Sequence, residues 1–138
     1  MVIKYRAWLK AEKKMYEVKS IDFLNDKVGL IGAGIVDLSE VELLPSSTYL
    51  DNPMYPDTQE IYAGDILKNE NGIIFEVHFG EYQMYCPADK QYMQNVGFYV
   101  TSPNYKLDKI QMPLGPTENY ATKIGNIYQN PELLEVDY

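Results

Sequence analysis

Apolar and polar residues alternate near the start of the chain with the period of two that is typical of β-strands. Ile3, Tyr5 and Leu9 lie on one side of the first predicted strand, and polar residues separate them. The polar stretch at 11–14 ends this strand. Apolar residues resume at Met15 and predict a second strand, joined to the first in a hairpin.

Turn signals divide the following residues into further short segments. Asn25-Asp26-Lys27 predicts a reversal, and the glycines of segment 28–34 indicate a bulged hairpin or a tight bend. The sequence EVELL at 40–44 fits either a strand or one helical turn. Prolines punctuate residues 45–57 and predict a loop, because proline cannot donate a hydrogen bond to a strand ladder.

Stronger hairpin signals follow in the second half of the chain. The Asn-Gly step at 71–72 predicts a hairpin between the segments 61–67 and 73–79, since both residue types tolerate a positive φ. The second of these segments presents one apolar face, made of Ile73, Phe75, Val77 and Phe79.

The pattern then predicts a reversal at Gly80-Glu81, followed by strands at 82–86 and 96–101. A last strand at 120–128 precedes Asn130, which we expect to cap a short helical turn because a proline follows it at the first helical position.

Many short strands between Gly, Pro and Asn turns predict a mainly β fold with little helix, either a small SH3-like barrel or two packed antiparallel sheets, with a short C-terminal helical turn. We expect a β-rich part at 1–50, a proline-rich loop at 51–57, and a second β-rich small barrel at 58–138. A meander of 50 residues buries too little apolar surface to offset its chain entropy. The two parts are therefore expected to share an interface.

Net charge adds a first functional constraint. The 138 residues carry a formal charge of −8, and no Lys or Arg occurs between 28 and 67. Such a span repels phosphate groups, so direct nucleic-acid binding is not expected. It also suggests an alternative function, an acidic surface that mimics nucleic acid and inhibits a host DNA-binding enzyme. That surface would consist of Asp37, Glu40, Glu42, Asp57, Glu60 and Asp65.

Residues that commonly carry chemistry are sparse. Cys86 is the single cysteine, which excludes an internal disulfide or a four-thiolate zinc site and suits a reducing cytoplasm. His78 is the single histidine and is interpreted as a polar residue on a strand face, beside Glu76. The chain has no apolar run of about 20 residues, so we expect no membrane span and a cytoplasmic location.

Two further patterns point to cofactors or metals only weakly. The glycines at 29–34 resemble a dinucleotide-binding fingerprint, but Asp37 stands at the position of its third glycine. Asp57, Glu60 and Asp65 are close enough in sequence to suggest a carboxylate-metal hydrolase, which is a second alternative. We expect no enzyme, no catalytic residues, no metal and no cofactor.

Tyrosine is unusually abundant, with 13 residues in the chain. A tyrosine side chain offers a rigid contact area with a polar tip, which is typical of protein-binding surfaces and also of β-sheet interiors. The residues of a candidate surface for a partner or for self-association are Tyr82, Tyr85, Tyr92, Tyr99 and Tyr105.

Three strings stand in a distinctive order along the chain: RAW at 6–8, IYAGD at 61–65, and GNIYQNPELL at 125–134. With EVELL and GIIFEVHF between them, this order resembles the YopX family of phage and prophage proteins. The chain departs from the family pattern at 45–59. The resemblance implies a small β-rich protein encoded by a phage or prophage that acts in the bacterial cytoplasm, without an established activity or catalytic residues to carry over.

These observations favour a non-enzymatic protein that binds a host or phage protein. Self-association into a homo-oligomer is also expected, because exposed strands or aromatic patches of two copies can pair.

The expected interface between the two parts predicts a single unfolding transition. Trp8, the sole tryptophan, should lose its native fluorescence together with the β signal in circular dichroism. Phe75→Ala or Val77→Ala should lower the free energy of unfolding by about 2–4 kcal/mol and shift both signals equally. Two separate transitions would contradict a shared interface.

Overall fold

The computed structural model describes residues 4–46, 60–103, 111–114 and 121–135. The chain divides into two compact units, Met1–Tyr62 and Ala63–Tyr138, and each contains one five-stranded antiparallel sheet. The predicted mainly β fold with two antiparallel sheets is confirmed. The predicted loop at 51–57 lies outside the described residues, and the interface between the two parts stays a prediction.

The first unit has the strand order β4-β3-β2-β1-β5. Its elements are β1 (Tyr5–Leu9), β2 (Lys14–Asp22), β3 (Lys27–Leu30), β4 (Gly34–Asp37), a 3-10 turn (Leu38–Glu40) and β5 (Val41–Pro45). Neighbours in sequence pair as hairpins from β1 to β4, which confirms the predicted reversals. Strand β5 returns to the free edge of β1 and completes the sheet.

Local chemistry explains the turns of this unit. The Asp22 carboxylate accepts the backbone N–H groups of Leu24 and Asn25 at 3.1 and 3.2 Å, which closes the turn between β2 and β3. Between β3 and β4, Gly32 and Gly34 adopt φ values of +88° and +77°. The glycine-rich segment is thus a tight bend, as expected, because these φ values favour residues without a Cβ atom.

The core of the first unit lies under the inward side predicted for β1. It consists of Ala7, Leu9, Val28, Leu30 and Val41, with Tyr16, Val18, Ala33, Val36, Leu38 and Leu43 packed against it. One boundary was wrong: Pro45, assigned to the loop, ends β5 opposite Tyr5. Strand β5 is the edge of the sheet, where a residue without an N–H group is tolerated.

The second unit has the strand order β10-β6-β7-β8-β9. Its elements are β6 (Asp65–Asn69), β7 (Ile74–Cys86), β8 (Gln91–Thr101), β9 (Met112–Pro113), β10 (Ala121–Asn126) and a 3-10 turn (Pro131–Leu134). The predicted Asn-Gly hairpin joins β6 and β7. There the Asn69 side chain accepts the N–H groups of Asn71 and Ile73, and Gly72 has a φ of +82°.

The predicted reversal at Gly80-Glu81 is wrong. Strand β7 continues through Gly80 to Cys86 and pairs with β8 along its whole remaining length. Gly80 lies directly opposite Gly97, and both have a φ of +152°. This mirror-image extended conformation is readily adopted only by glycine, and it bends a strand without ending it. The reversal occurs at residues 87–90 instead.

Beyond the glycine pair, β7 and β8 form a two-stranded extension. Strand β6 pairs with β7 at 74–76, and β9 pairs with β8 at 99–100, so within the described residues neither reaches past this level. We call residues 81–86 and 91–96 the distal ribbon. Its two strands are hydrogen-bonded to each other.

The distal ribbon folds back toward the rest of its sheet. Tyr82 lies opposite Asn95, four residues from Tyr99, which corresponds to about 13 Å along a straight strand. The rings of Tyr82 and Tyr99 nevertheless stack with centroids 4.9 Å apart. The Gln83 N–H group also donates to Gln111 Oε1 at 2.8 Å, although residue 111 adjoins the far end of β8. Both contacts require the ribbon to bend at the glycine pair.

The bend predicts that Gly97→Ala lowers the free energy of unfolding by about 1–3 kcal/mol, since an alanine is strained at a φ of +152° whatever the space around it. Urea denaturation measures this loss. The control is Gln91→Ala, an exposed position of the same strand, with an expected change within about 0.5 kcal/mol. Equal losses in the two variants would contradict the assigned role of the glycine.

Candidate functional site

The two faces of the distal ribbon differ in exposure, because side chains alternate along a strand and the ribbon bends toward one of its faces. On the inner face Tyr82 is buried and Met84, Cys86 and Asn95 are half-buried, whereas Gln91 and Met93 are exposed. The side chains on the other face of the ribbon are all exposed. Together with exposed Phe79, which lies just before the glycine pair, we call them the outer face: Phe79, Glu81, Gln83, Tyr85, Tyr92, Gln94 and Val96. Phe98, opposite Phe79, is half-buried.

Large apolar groups dominate the outer face. Phe79 and Val96 are 53% and 72% exposed, and Tyr85 and Tyr92 are 49% and 69% exposed. Scattered single apolar residues are ordinary on a protein surface, whereas large exposed apolar patches indicate an interaction site. Strand alternation places all four on the same face, with the row of Gln83 and Gln94 between Val96 and the two tyrosines.

Like residues stand opposite each other in two rows of this surface. The rings of Tyr85 and Tyr92 form a tilted pair with centroids 5.3 Å apart, and Gln83 lies opposite Gln94. Such cross-strand aromatic pairs stabilise a ribbon by a few tenths of a kcal/mol to about 1 kcal/mol. They also hold the two rings in place, so the tyrosine row is a preformed contact surface.

Formal charge is almost absent from the outer face. Glu81 is its one charged residue, and its carboxylate accepts a hydrogen bond from Gln94 Nε2 at 3.1 Å. A shallow open groove of about 450 Å³ runs beside this pair and is lined by Glu81, Tyr82, Gln83, Gln94 and Gln111. The chemistry offered is apolar area, phenol hydroxyls and amides.

The structure separates the tyrosines that the sequence grouped together. Tyr85 and Tyr92 are neighbours on the outer face. Tyr82 is only 9% exposed and stacks on half-buried Tyr99 on the opposite face, so its place in a contact surface is corrected. Period-two alternation separates Tyr82 from Tyr85, but the bend decides which of them is covered. Tyr105 lies outside the described residues.

His78 occupies the expected polar position on a strand face. Its Nε2 lies 2.9 Å from Thr101 Oγ1 and 3.8 Å from a carboxylate oxygen of Glu76, and its ring stacks on Tyr99 at 5.0 Å. These contacts satisfy the imidazole within the sheet.

Several acidic residues predicted for the mimic surface contact lysines. Three of them form ion pairs: Asp37 with Lys27, Glu42 with Lys10 at 3.6 Å, and Glu60 with Lys4 at 3.1 Å. The hydrogen bond to the Glu60 carboxylate, followed by its charge, raises the pKa of Lys4, and Asp37 raises the pKa of Lys27 in the same way. The charge of Glu40, in the 3-10 turn, adds to the effect on Lys27.

Residues 28–67 contain no Lys or Arg, but lysines from the start of the chain lie close to their carboxylates in space. The strands of this span pair with neighbours that carry the lysines of residues 4–27. The ion pairs are exposed to solvent, so each contributes little to the stability of the fold. Their main effect is to offset the local negative charge. Asp57 lies outside the described residues.

Asp65 also differs from its expected surface position. It is fully buried at the start of β6, and Lys123 Nζ on β10 lies 3.5 Å from its Oδ2. A buried carboxylate requires such a counter-charge. Asp65 is therefore a structural residue, unavailable to a surface that mimics nucleic acid or to a solvent-accessible metal site.

The two strings at 61–65 and 125–134 contact each other around this pair. The Ile127 N–H group donates to the Gly64 carbonyl at 2.8 Å, and a Cβ atom on Gly64 would lie 2.9 Å from the Tyr128 ring. A Cβ atom on Gly125 would lie 2.6 Å from Asn130 Oδ1. Both glycines are thus required for close approach.

The predicted C-terminal cap is confirmed in position but differs in its bonding. Asn130 precedes the 3-10 turn with Pro131 at its start, yet its side chain makes no bond to that turn. Its Oδ1 instead accepts the Asn126 N–H group at 3.2 Å. The side chain of Asn126, in turn, accepts the N–H groups of Tyr128 and Gln129.

In the described part of the chain, no three His, Cys, Asp or Glu side chains converge in an arrangement that can hold a metal ion. Cys86 ends β7, half-buried, with its Sγ 3.7 Å from Asp89 Oδ2. None of the helical segments described here has the length and apolarity needed to cross a bilayer.

Comparison with protein families matches residues 56–135 to the family model described as YopX protein. The matched range contains the distal ribbon and both strings around Asp65, and leaves out the string at 6–8. A search of curated proteins gave no match.

The buried ion pair predicts that Lys123→Met lowers the free energy of unfolding by about 3 kcal/mol, because the Asp65 carboxylate then remains buried without this counter-charge. Urea denaturation at neutral pH measures the loss. The control, Lys68→Met, removes the same charge from an exposed position of β6 and should have little effect. Losses of similar size would show that the ion pair does not stabilise the unit.

Proposed function

The chain belongs to the YopX family, and from this premise we propose that it is a non-enzymatic protein of a phage or prophage that binds another protein through the outer face. It acts in the bacterial cytoplasm, on a host or a phage protein.

The observation that carries this proposal is the exposed tyrosine row with its apolar neighbours. Tyr85 and Tyr92 are held against each other and offer their ring surfaces and hydroxyls to solvent. Tyrosines of this kind are enriched in protein interfaces, because they cover a large area with few rotatable bonds. Phe79 and Val96 add apolar area to the same face, on the other side of the glutamine row.

The groups on the outer face support binding rather than catalysis. Amide side chains donate and accept hydrogen bonds but do not ionise at neutral pH, so they supply neither an acid nor a base. General acid–base chemistry needs a group that titrates near the working pH. Glu81 is the one carboxylate of the outer face, and it accepts a hydrogen bond from the side-chain amide of Gln94.

The alternatives receive less support from the structure. An acidic mimic needs carboxylates that present unbalanced charge, but Asp37, Glu42 and Glu60 each contact a lysine. A carboxylate-metal hydrolase needs converging carboxylates, but Asp65 is buried against Lys123.

Affinity capture from a lysate of phage-bearing cells tests the proposal when wild type is compared with a matched pair of variants. Val96→Glu places a charge on the outer face, and Ile35→Glu places the same charge on β4, at a similar exposure of 75% against 72%. We expect wild type and Ile35→Glu to retain a protein that Val96→Glu loses, because burying an unpaired carboxylate is unfavourable. The same retained proteins with all three baits, or none with any, would contradict the proposal.

A further inference from the structure

We infer that the outer face binds the outer face of a second copy of this chain, forming a homodimer around a two-fold axis. The inference rests on the proposed function, since it names the partner of that same surface.

Charge is the first argument. Each copy carries −8, so two copies repel each other over most of their surfaces. The stretch 79–98 contains only Glu81, Asp89 and Lys90 as formal charges, and the last two lie in the turn at 87–90. The outer face is thus a surface on which two acidic copies can approach with little electrostatic cost.

The row pattern is the second argument. A two-fold interface uses the same patch on both copies, which must therefore match itself. The middle row of the outer face pairs Gln83 with Gln94, and an amide both donates and accepts hydrogen bonds. Two glutamine rows can consequently bond to each other across the axis.

An axis that crosses the strands at the glutamine row also matches the rows on either side of it. It places Glu81 against Tyr85 of the second copy, so that the carboxylate meets a hydroxyl donor rather than another carboxylate. It places Val96 against Tyr92 of the second copy, which buries apolar area on both. These three rows thus meet chemically suitable rows, and Phe79 lies beyond them because β7 ends at Cys86.

The size of the surface sets the expected affinity. The matched rows of Glu81, Gln83 and Tyr85 span about 13 Å along two strands, since residues two apart are separated by about 6.6 Å. Because neighbouring strands lie about 4.8 Å apart, this patch is much smaller than the area of about 800 Å² per partner that is typical of stable complexes. We therefore expect a weak dimer that forms only at micromolar or higher concentrations.

Sedimentation equilibrium of the full chain over a range of about 5–500 μM tests the inference with two matched pairs of variants. Val96→Glu is compared with Ile35→Glu, and Tyr92→Ser is compared with Phe23→Ser, whose original side chains are 69% and 70% exposed. Wild type and the two controls should dimerise alike. The two outer-face variants should weaken association at least about tenfold. Thermal unfolding checks that each variant is folded. If Val96→Glu or Ile35→Glu does not fold, the comparison of Tyr92→Ser with Phe23→Ser decides the test.

Salt provides an independent readout. Raising the ionic strength from about 0.05 to 0.5 M screens the repulsion between two like-charged copies and should strengthen the wild-type dimer. Weakening by salt would contradict an interface that lacks opposite charges.

The remaining outcomes separate this inference from the proposed function. A monomer at all concentrations, combined with capture of a different protein that Val96→Glu abolishes, overturns the homodimer and leaves the protein-binding function standing. A monomer without such capture overturns both. A dimer that neither outer-face variant weakens places the contact elsewhere and overturns the inference.

Discussion

The second unit depends on one backbone constraint, the opposition of two glycines in adjacent strands. With both at a φ of +152°, the strands keep their register while the ribbon changes direction. The bend brings Tyr82 onto Tyr99 and covers the inner face of the distal ribbon at Tyr82. The opposite face is left exposed, so a local conformational preference determines where the candidate binding surface lies.

A second constraint holds the start and the end of this unit together. Gly64 leaves room for the Tyr128 ring and Gly125 for the Asn130 side chain, while an ion pair between Asp65 and Lys123 links β6 to β10. The two strings that carry the family resemblance meet here. Their residues serve packing and hydrogen bonding, which explains why family membership identifies the fold without indicating a chemistry.

Local signals in the sequence predicted the hairpins, the tight bend at the glycine-rich segment and the C-terminal turn, because each depends on residues a few positions apart. The failure at Gly80 has a physical reason: a glycine in a strand and a glycine in a turn give the same local signal, and only Gly97, seventeen residues later, distinguishes them.

Local sequence patterns also predict the candidate site only in part. Alternation placed Tyr85 on one face, but the burial of Tyr82 follows from the bend, and the pairing of Glu42 with Lys10 follows from β5 returning to the edge of β1. Contacts of this kind depend on topology, which no local pattern specifies.

The bend also limits how the protein can aggregate. Within the described residues, no third strand pairs with the distal ribbon, and its strands are rich in Tyr, Gln and Met and nearly uncharged, a composition that favours strand addition into fibrils. Extended cross-β stacking needs a long, flat edge. Because the backbone turns at Gly80 and Gly97, the straight part of each free edge is only about six residues long. The glycine pair that leaves the outer face exposed therefore also interrupts the flat strand edge on which a fibril could grow.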